Sequence, residues 1–103
     1  MEIYKKFNGD TLEVALTDKL DTVTSQTLSS ELEEDAKKAK SIVFDFEKLN
    51  YISSAGLRLL ISYQKALGGK DKVVVKNANA VVKNIFKVTG FINLITVECT
   101  VIY

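Results

Sequence analysis

The sequence predicts a single α/β domain in which a mixed β-sheet, opened by a β-hairpin, packs against helices. Three observations carry that prediction. Apolar residues alternate at period 2 near the start and then switch repeatedly to period 3.6. Two short apolar runs, Ile42–Phe46 and Val73–Val75, have the composition of strands buried on both faces of a parallel sheet. Turn and cap residues punctuate the chain, and no proline interrupts any element. At 103 residues the chain is one domain, residues 1–103, without linker or repeat. Area scaling buries about 65% of the surface of such a chain, enough for a core without disulfides or metal.

Ile3–Phe7 reads as a weak first strand and Asn8-Gly9-Asp10 as a hairpin turn. Leu12, Val14 and Leu16 alternate with Glu13 and Ala15, the pattern of a half-buried second strand. A helix over 24–39 follows, with Asp21, Thr22 and Thr24 as candidate N-caps and Leu28, Leu32 and Ala39 on its inner stripe. Its acids Glu31, Glu33, Glu34 and Asp35 precede Lys37, Lys38 and Lys40, the order the helix dipole favours and the mark of a solvated face. The Ile42–Phe46 strand comes next. A second helix over 55–67 buries Leu57, Leu60, Ile61 and Leu67, with Gln64 misplaced on the same face, and ends at Gly68-Gly69. After the Val73–Val75 strand, a third helix over 79–89 is expected to bury Val81, Ile85 and Val88 and to stop at Gly90. From Leu94 on, Val97, Cys99, Val101 and Tyr103 share one side of a last strand.

Composition removes several functions. There is no histidine, which excludes Ser–His and Cys–His catalysis, His-containing zinc sites and histidine pH switching. Cys99 is the only cysteine, so no internal disulfide or thiolate cluster forms, and it reads as a small packed hydrophobe. No metal or cofactor is implied. A net charge of +1 gives no support for nucleic-acid binding. Neither a membrane-length apolar run nor the apolar core of a secretory signal is present, so a cytoplasmic location is expected, with no membrane partner.

Chemistry concentrates at Ser53-Ser54-Ala55-Gly56, between a buried strand and the start of the second helix. The first turn of a helix offers unpaired N–H groups and the positive end of the dipole. One serine suffices as N-cap, and here there are two.

Val43-Phe44-Asp45-Phe46, a short spacer and Tyr51-Ile52-Ser53-Ser54-Ala55-Gly56-Leu57-Arg58-Leu59-Leu60 resemble the signature of the STAS-domain family, in particular the bacterial anti-sigma-factor antagonists. Three further segments agree in order: Leu16–Asp21, with Asp18 where the family usually has glycine; Asn77–Phe86; and Val88-Thr89-Gly90-Phe91. The resemblance covers nearly the whole chain. It implies a mixed sheet with helices mainly on one side. It also implies a protein–protein switch without catalysis: the unphosphorylated antagonist binds an anti-sigma-factor serine kinase and frees a sigma factor. The kinase phosphorylates one serine at the start of the second helix, and a PP2C-type phosphatase reverses this.

Matched on Gly56, the acceptor is Ser54, with Ser53 second and standing where the family commonly has aspartate. The partner-binding set implied is Asp21, Thr24, Ser53, Ser54, Ala55, Gly56 and Leu59; Asp21 and Thr24 equally suit capping of the first helix. Leu59, off the core stripe, is expected at the surface, whereas Ile52 and Leu57 are expected in the core. Arg58 lies four residues beyond Ser54, within reach of a phosphate there. Family members commonly end in a short helix after the last strand, which this chain, stopping at Tyr103, is expected to lack or to have reduced. The free protein is expected to be monomeric.

Two other readings stand beside this one. A STAS scaffold that binds protein or small ligand without phosphorylation would be indifferent to Ser54→Ala. A serine hydrolase using Ser54 with a lysine base such as Lys72 would need that lysine buried, and the G-x-S-x-G elbow is absent.

Overall fold

The computed structural model describes residues 1–69 and 72–98. In chain order the elements are β1 (Ile3–Asn8), β2 (Thr11–Leu20), α1 (Thr22–Lys38), β3 (Ser41–Ile52), α2 (Ser54–Leu67), β4 (Val73–Lys76), α3 (Ala80–Val88), a 3₁₀ turn (Phe91–Asn93) and β5 (Thr96–Glu98). The sheet runs β1-β2-β3-β4-β5, with β1 antiparallel to β2 and the other pairs parallel. When sequential strands are also spatial neighbours, right-handed crossovers put every connecting helix on the same face. Accordingly α1 packs on β2, α2 on β3 and β4, and α3 on β3. The opposite face has no layer over it among the described residues.

That one-sidedness corrects an expectation. Ile42, Phe44 and Phe46 are buried, but Val43 and Asp45 between them are only half-buried, and Val74 is half-buried between Val73 and Val75. Neither strand is buried on both faces. The hairpin edge is tied to α1 through Lys5, whose Nζ lies 2.6 Å from Asp35 Oδ2 and donates to the Glu31 carbonyl at 2.8 Å.

β3 is longer than its apolar run suggested. Ala15 faces Asp45 but Thr17 faces Lys48, and Asp18 faces Leu49 but Lys19 faces Tyr51. At each irregularity β3 takes one more residue than β2, which is a bulge. The inward residues therefore step from Ile42, Phe44 and Phe46 to Leu49 and Ile52, all at most 1% exposed. A strict alternation would have turned Leu49 outward; the first extra residue keeps it in the core, and the second returns Ile52 to the inner face at the start of α2. Between the irregularities, Asp18 has φ +71°, a conformation that favours glycine.

The helices differ from expectation mainly in which stripe faces inward. α1 buries Leu28 and Leu32, with Ala39 buried just past its end. α2 buries Leu57 and Leu60 as expected, but its third large inward residue is Tyr63, while Ile61, Gln64 and Leu67 are half-buried. Gly68, at φ +96°, and Gly69 close it by donating their N–H groups to the Gln64 carbonyl, a backbone role that leaves the Gln64 side chain at the edge of the core.

α3 is turned relative to the prediction. Val81 and Val88 are 56% and 74% exposed and Ile85 is half-buried, whereas Val82 and Phe86 are fully buried. The segment carries two neighbouring apolar stripes. Tertiary contacts choose between them: Asn79 is held to the Leu49 carbonyl, and Phe86 packs on Phe46 and Phe91 with centroids 6.5 and 5.0 Å away. Val97 lies in β5 and is half-buried; Cys99, Val101 and Tyr103 lie outside the described residues.

Candidate functional site

The parallel strands β2, β3 and β4 all end at one edge of the sheet, and each is followed by the N-terminus of a helix. The N-caps are Asp21, Ser53 and Asn79. Leu20 and Ile52 are register partners, and the Ser53 N–H donates to the Leu20 carbonyl at 2.9 Å, so the loops after β2 and β3 run side by side. Asn79 Nδ2 donates to the Leu49 carbonyl at 2.9 Å and fastens the third loop to the same edge.

Within this arrangement the two serines divide the work. Ser53 is the N-cap of α2: its backbone is extended, its carbonyl accepts the first helical bond from Leu57 N–H, and its Oγ accepts from Gly56 N–H at a long 3.5 Å. Ser54 is the first helical residue. Its side chain is exposed and makes no hydrogen bond among the described residues. With the Ser53 and Gly56 N–H groups engaged, those of Ser54 and Ala55 remain as unpaired donors of the first turn. No acidic residue lies in that turn.

Gly56 is required by space. A Cβ there would lie 2.7 Å from Ile52 Cγ1 and 3.0 Å from both Leu20 Cγ and the Leu20 carbonyl oxygen. The absent side chain lets the start of α2 press against the ends of β2 and β3, which sets where Ser54 sits. Ala55 is half-buried beside it.

Asp21 and Thr24 form a reciprocal cap. Asp21 Oδ1 accepts from the N–H groups of Val23 and Thr24, each at 3.0 Å, and Thr24 Oγ1 accepts from Asp21 N–H at 2.8 Å. Thr24 Oγ1 also lies 2.9 Å from the Lys19 carbonyl, as its donor. The hydrogen bond from Thr24 N–H, aided by the Thr24 hydroxyl and by Lys19, holds the Asp21 carboxyl below the usual value against the opposing cost of partial desolvation. Thr22, the third candidate cap, is the first residue of α1.

Leu59 departs from expectation: it is half-buried and packs against the core. Ile52 and Leu57 are core residues as expected. The large apolar groups exposed at this edge are instead Val23 in the first turn of α1, 70% exposed, Tyr51 near the end of β3 and Val81 in the first turn of α3. The sequence carried a signal for Val23, an apolar residue two places after a cap, but stripe counting does not separate a surface valine from a core one. Arg58 is exposed and makes no ion pair among the described residues. Lys72 is exposed and lies beyond the last turn of α2, roughly 20 Å along the helix from Ser54. The two cannot form a nucleophile–base pair. No helix among the described residues is long and apolar enough to cross a membrane.

Comparison with known proteins agrees with this fold. Residues 2–102 match the STAS domain family. The structure is similar to an anti-sigma factor antagonist from Mycobacterium paratuberculosis, with 17% identity, TM-score 0.81, and coverage of 94% of this chain and 84% of that one. It is similar to the anti-sigma factor antagonist SpoIIAA in its unphosphorylated form, with 16% identity, TM-score 0.76, and coverage of 94% and 88%. The Bacillus cell fate determinant SpoIIAA in its phosphorylated form gives TM-score 0.69 at 16% identity, covering 94% of this chain and 91% of that one. No curated protein matches the chain significantly in sequence.

Proposed function

Since the chain belongs to the STAS domain family, we propose that it is an anti-sigma-factor antagonist switched by phosphorylation of Ser54. In its unphosphorylated form it binds an anti-sigma-factor serine kinase in the cytoplasm and so frees a sigma factor. A PP2C-type phosphatase returns the modified protein to the binding state. The chain itself catalyses nothing in this scheme.

The observation that carries the reading is the division between the two serines. Ser53 caps α2, so Ser54 presents an exposed hydroxyl that the fold does not use. Phosphorylation there adds about −1.5 to −2 charge at pH 7. The first turn meets it with two unpaired N–H groups and the positive end of the helix dipole, an environment that stabilises anions by up to about 2 kcal/mol. The domain therefore stays folded, and the effect falls on the partner. Repulsion and desolvation of about 3 kcal/mol at a docked surface weaken binding about 150-fold, enough for a switch without conformational change.

Intact-mass measurement of wild type and Ser54→Ala after incubation with ATP and candidate anti-sigma kinases tests this. One added phosphate on wild type, absent from the variant, is the expected result. Wild-type modification that persists in Ser54→Ala would move the site to Ser53 or elsewhere.

A second reading is favoured by Val23, Tyr51 and Val81, apolar groups on the same edge that offer contact independent of any phosphate. On that reading the domain is a scaffold, and its partner binds without any modification of Ser54.

A further inference from the structure

β1 closes one side of the sheet: it pairs with β2 alone, and its other edge faces solvent. The phase of the ladder decides which of its backbone groups are free. The Thr17 N–H donates to the Glu2 carbonyl, and bonded and non-bonded pairs alternate along an antiparallel ladder. Glu2, Tyr4, Lys6 and Asn8 therefore bond to β2, whereas Ile3, Lys5 and Phe7 direct both N–H and C=O outward. No hydrogen bond among the described residues engages those outward groups.

Exposed edges are ordinarily blocked by proline, a bulge, a covering segment or projecting lysines. Here the chain has no proline, and the β1–β2 register is unbroken. β1 carries two lysines, but Lys5 is turned away from the edge onto α1. Its Nζ lies 2.6 Å from Asp35 Oδ2 and donates to the Glu31 carbonyl. That leaves Lys6 as a guard, paired to Glu13 at a loose 3.8 Å. Tyr4 and Phe7, 56% and 43% exposed, stand on opposite faces of the same strand.

We propose that β1 pairs antiparallel with β1 of a second copy about a two-fold axis at Lys5, joining two sheets into one. The strand is self-complementary in that register. Ile3 lies opposite Phe7 of the second copy on the helix side, and Tyr4 lies opposite Lys6 on the open side, where an ammonium meets an aromatic ring. Lys5 lies opposite Lys5, each charge already neutralised by its own Asp35. The outward N–H and C=O groups of Ile3, Lys5 and Phe7 then all find partners. A two-fold at Tyr4 would set Phe7 opposite Met1, and one at Lys6 would set Ile3 opposite Gly9, both outside β1. The contact is isologous and closes at two copies. It runs along the side of the sheet, leaves the Ser54 edge of both copies open and does not depend on phosphorylation. A strand edge buries less than the roughly 1,200–2,000 Å² of a standard interface, so a dissociation constant on the order of 0.1–1 mM is expected in place of the monomer expected from the sequence.

Sedimentation equilibrium and amide hydrogen exchange of the full chain, over a concentration series spanning that range, test the proposal. The mass should rise toward the dimer. Exchange at Lys5 and Phe7 should slow with concentration, while Tyr4 and Lys6, whose N–H groups already bond to β2, stay unchanged. Lys5→Pro takes from the backbone only an outward N–H and should weaken dimerisation about tenfold or more, the share of the two hydrogen bonds lost. Phe7→Ser keeps the Lys5–Asp35 contact, removes the apolar partner of Ile3 and should weaken it about threefold or more. A monomer throughout the series, a dimer that Phe7→Ser leaves unaffected, slowing that does not alternate along β1, or slowing that appears only when an anti-sigma-factor partner is added would each overturn it.

Discussion

The Ser53 N–H reaches the Leu20 carbonyl at 2.9 Å and so extends the β2–β3 ladder one residue beyond its last register pair. This bond spends the backbone donor of Ser53 on the sheet while its carbonyl and hydroxyl serve α2. The next residue, Ser54, is left with its hydroxyl and its N–H both available.

Replacing each serine by alanine therefore has different effects on stability. Ser53→Ala removes the side-chain cap and lowers unfolding free energy by about 0.5–1 kcal/mol, toward the low end for caps because the bond to Gly56 N–H is long. Ser54→Ala changes it by less than about 0.5 kcal/mol, as an exposed helical position does. Urea unfolding of both variants measures the contrast, and equal losses would mean that Ser54 shares the cap.

Gly56→Ala forces a methyl group against Ile52 Cγ1 and the Leu20 carbonyl. Overpacking of this kind costs about 1–3 kcal/mol, partly offset by the roughly 1 kcal/mol gain in helix propensity. A net destabilisation of up to about 2 kcal/mol is expected in the same unfolding assay, together with amide shifts in Ser54 as the first turn is pushed away from the sheet.

Asp21 makes stability depend on pH in acid. Its carboxyl titrates below its unfolded value of 3.8 because the charged form accepts from Thr24 and Val23 N–H. The unfolded chain then binds the proton more readily, so the contribution is complete above about pH 4 and disappears as pH falls through the lower folded value. Asp21→Asn should flatten that segment of the stability–pH curve and leave the rest unchanged. An unaltered acid limb would assign it to other carboxylates.

Partner binding should depend on Val23 and Tyr51 more than on Leu59. Val23→Glu places a charge on the exposed first turn of α1 and is expected to weaken anti-sigma-factor binding by at least about tenfold, or 1.4 kcal/mol, with the fold intact. Leu59→Ala, which empties a half-buried position against the core, should lower the thermal midpoint and change affinity little. Calorimetric titration beside thermal melts separates the two effects.

Much of this was legible in the linear chain. The hairpin, the order of strands and helices, Asp21 among the candidate caps of α1, a serine cap before α2 and the stop at Gly68 rest on short-range rules: alternation, cap chemistry and permitted backbone angles, each contained within a few residues. Which of the two serines caps α2 was decided by the structure, where the helix starts at Ser54, one residue earlier than expected. The motif around Ser54 likewise has its pattern in consecutive positions. The tertiary structure decided what periodicity leaves degenerate. In α3 the Val81–Ile85–Val88 and Val82–Phe86 stripes are equally periodic, and only the seat of Asn79 on Leu49 and of Phe86 between Phe46 and Phe91 selects the second. The two bulges of β3 are invisible to a period-2 template, because they exist only relative to β2, yet they carry Leu49 and Ile52 into the core. Leu59 is half-buried and Val23 exposed for the same reason: exposure is a property of the neighbours that the fold supplies, and a sequence pattern records only the periodicity along one element.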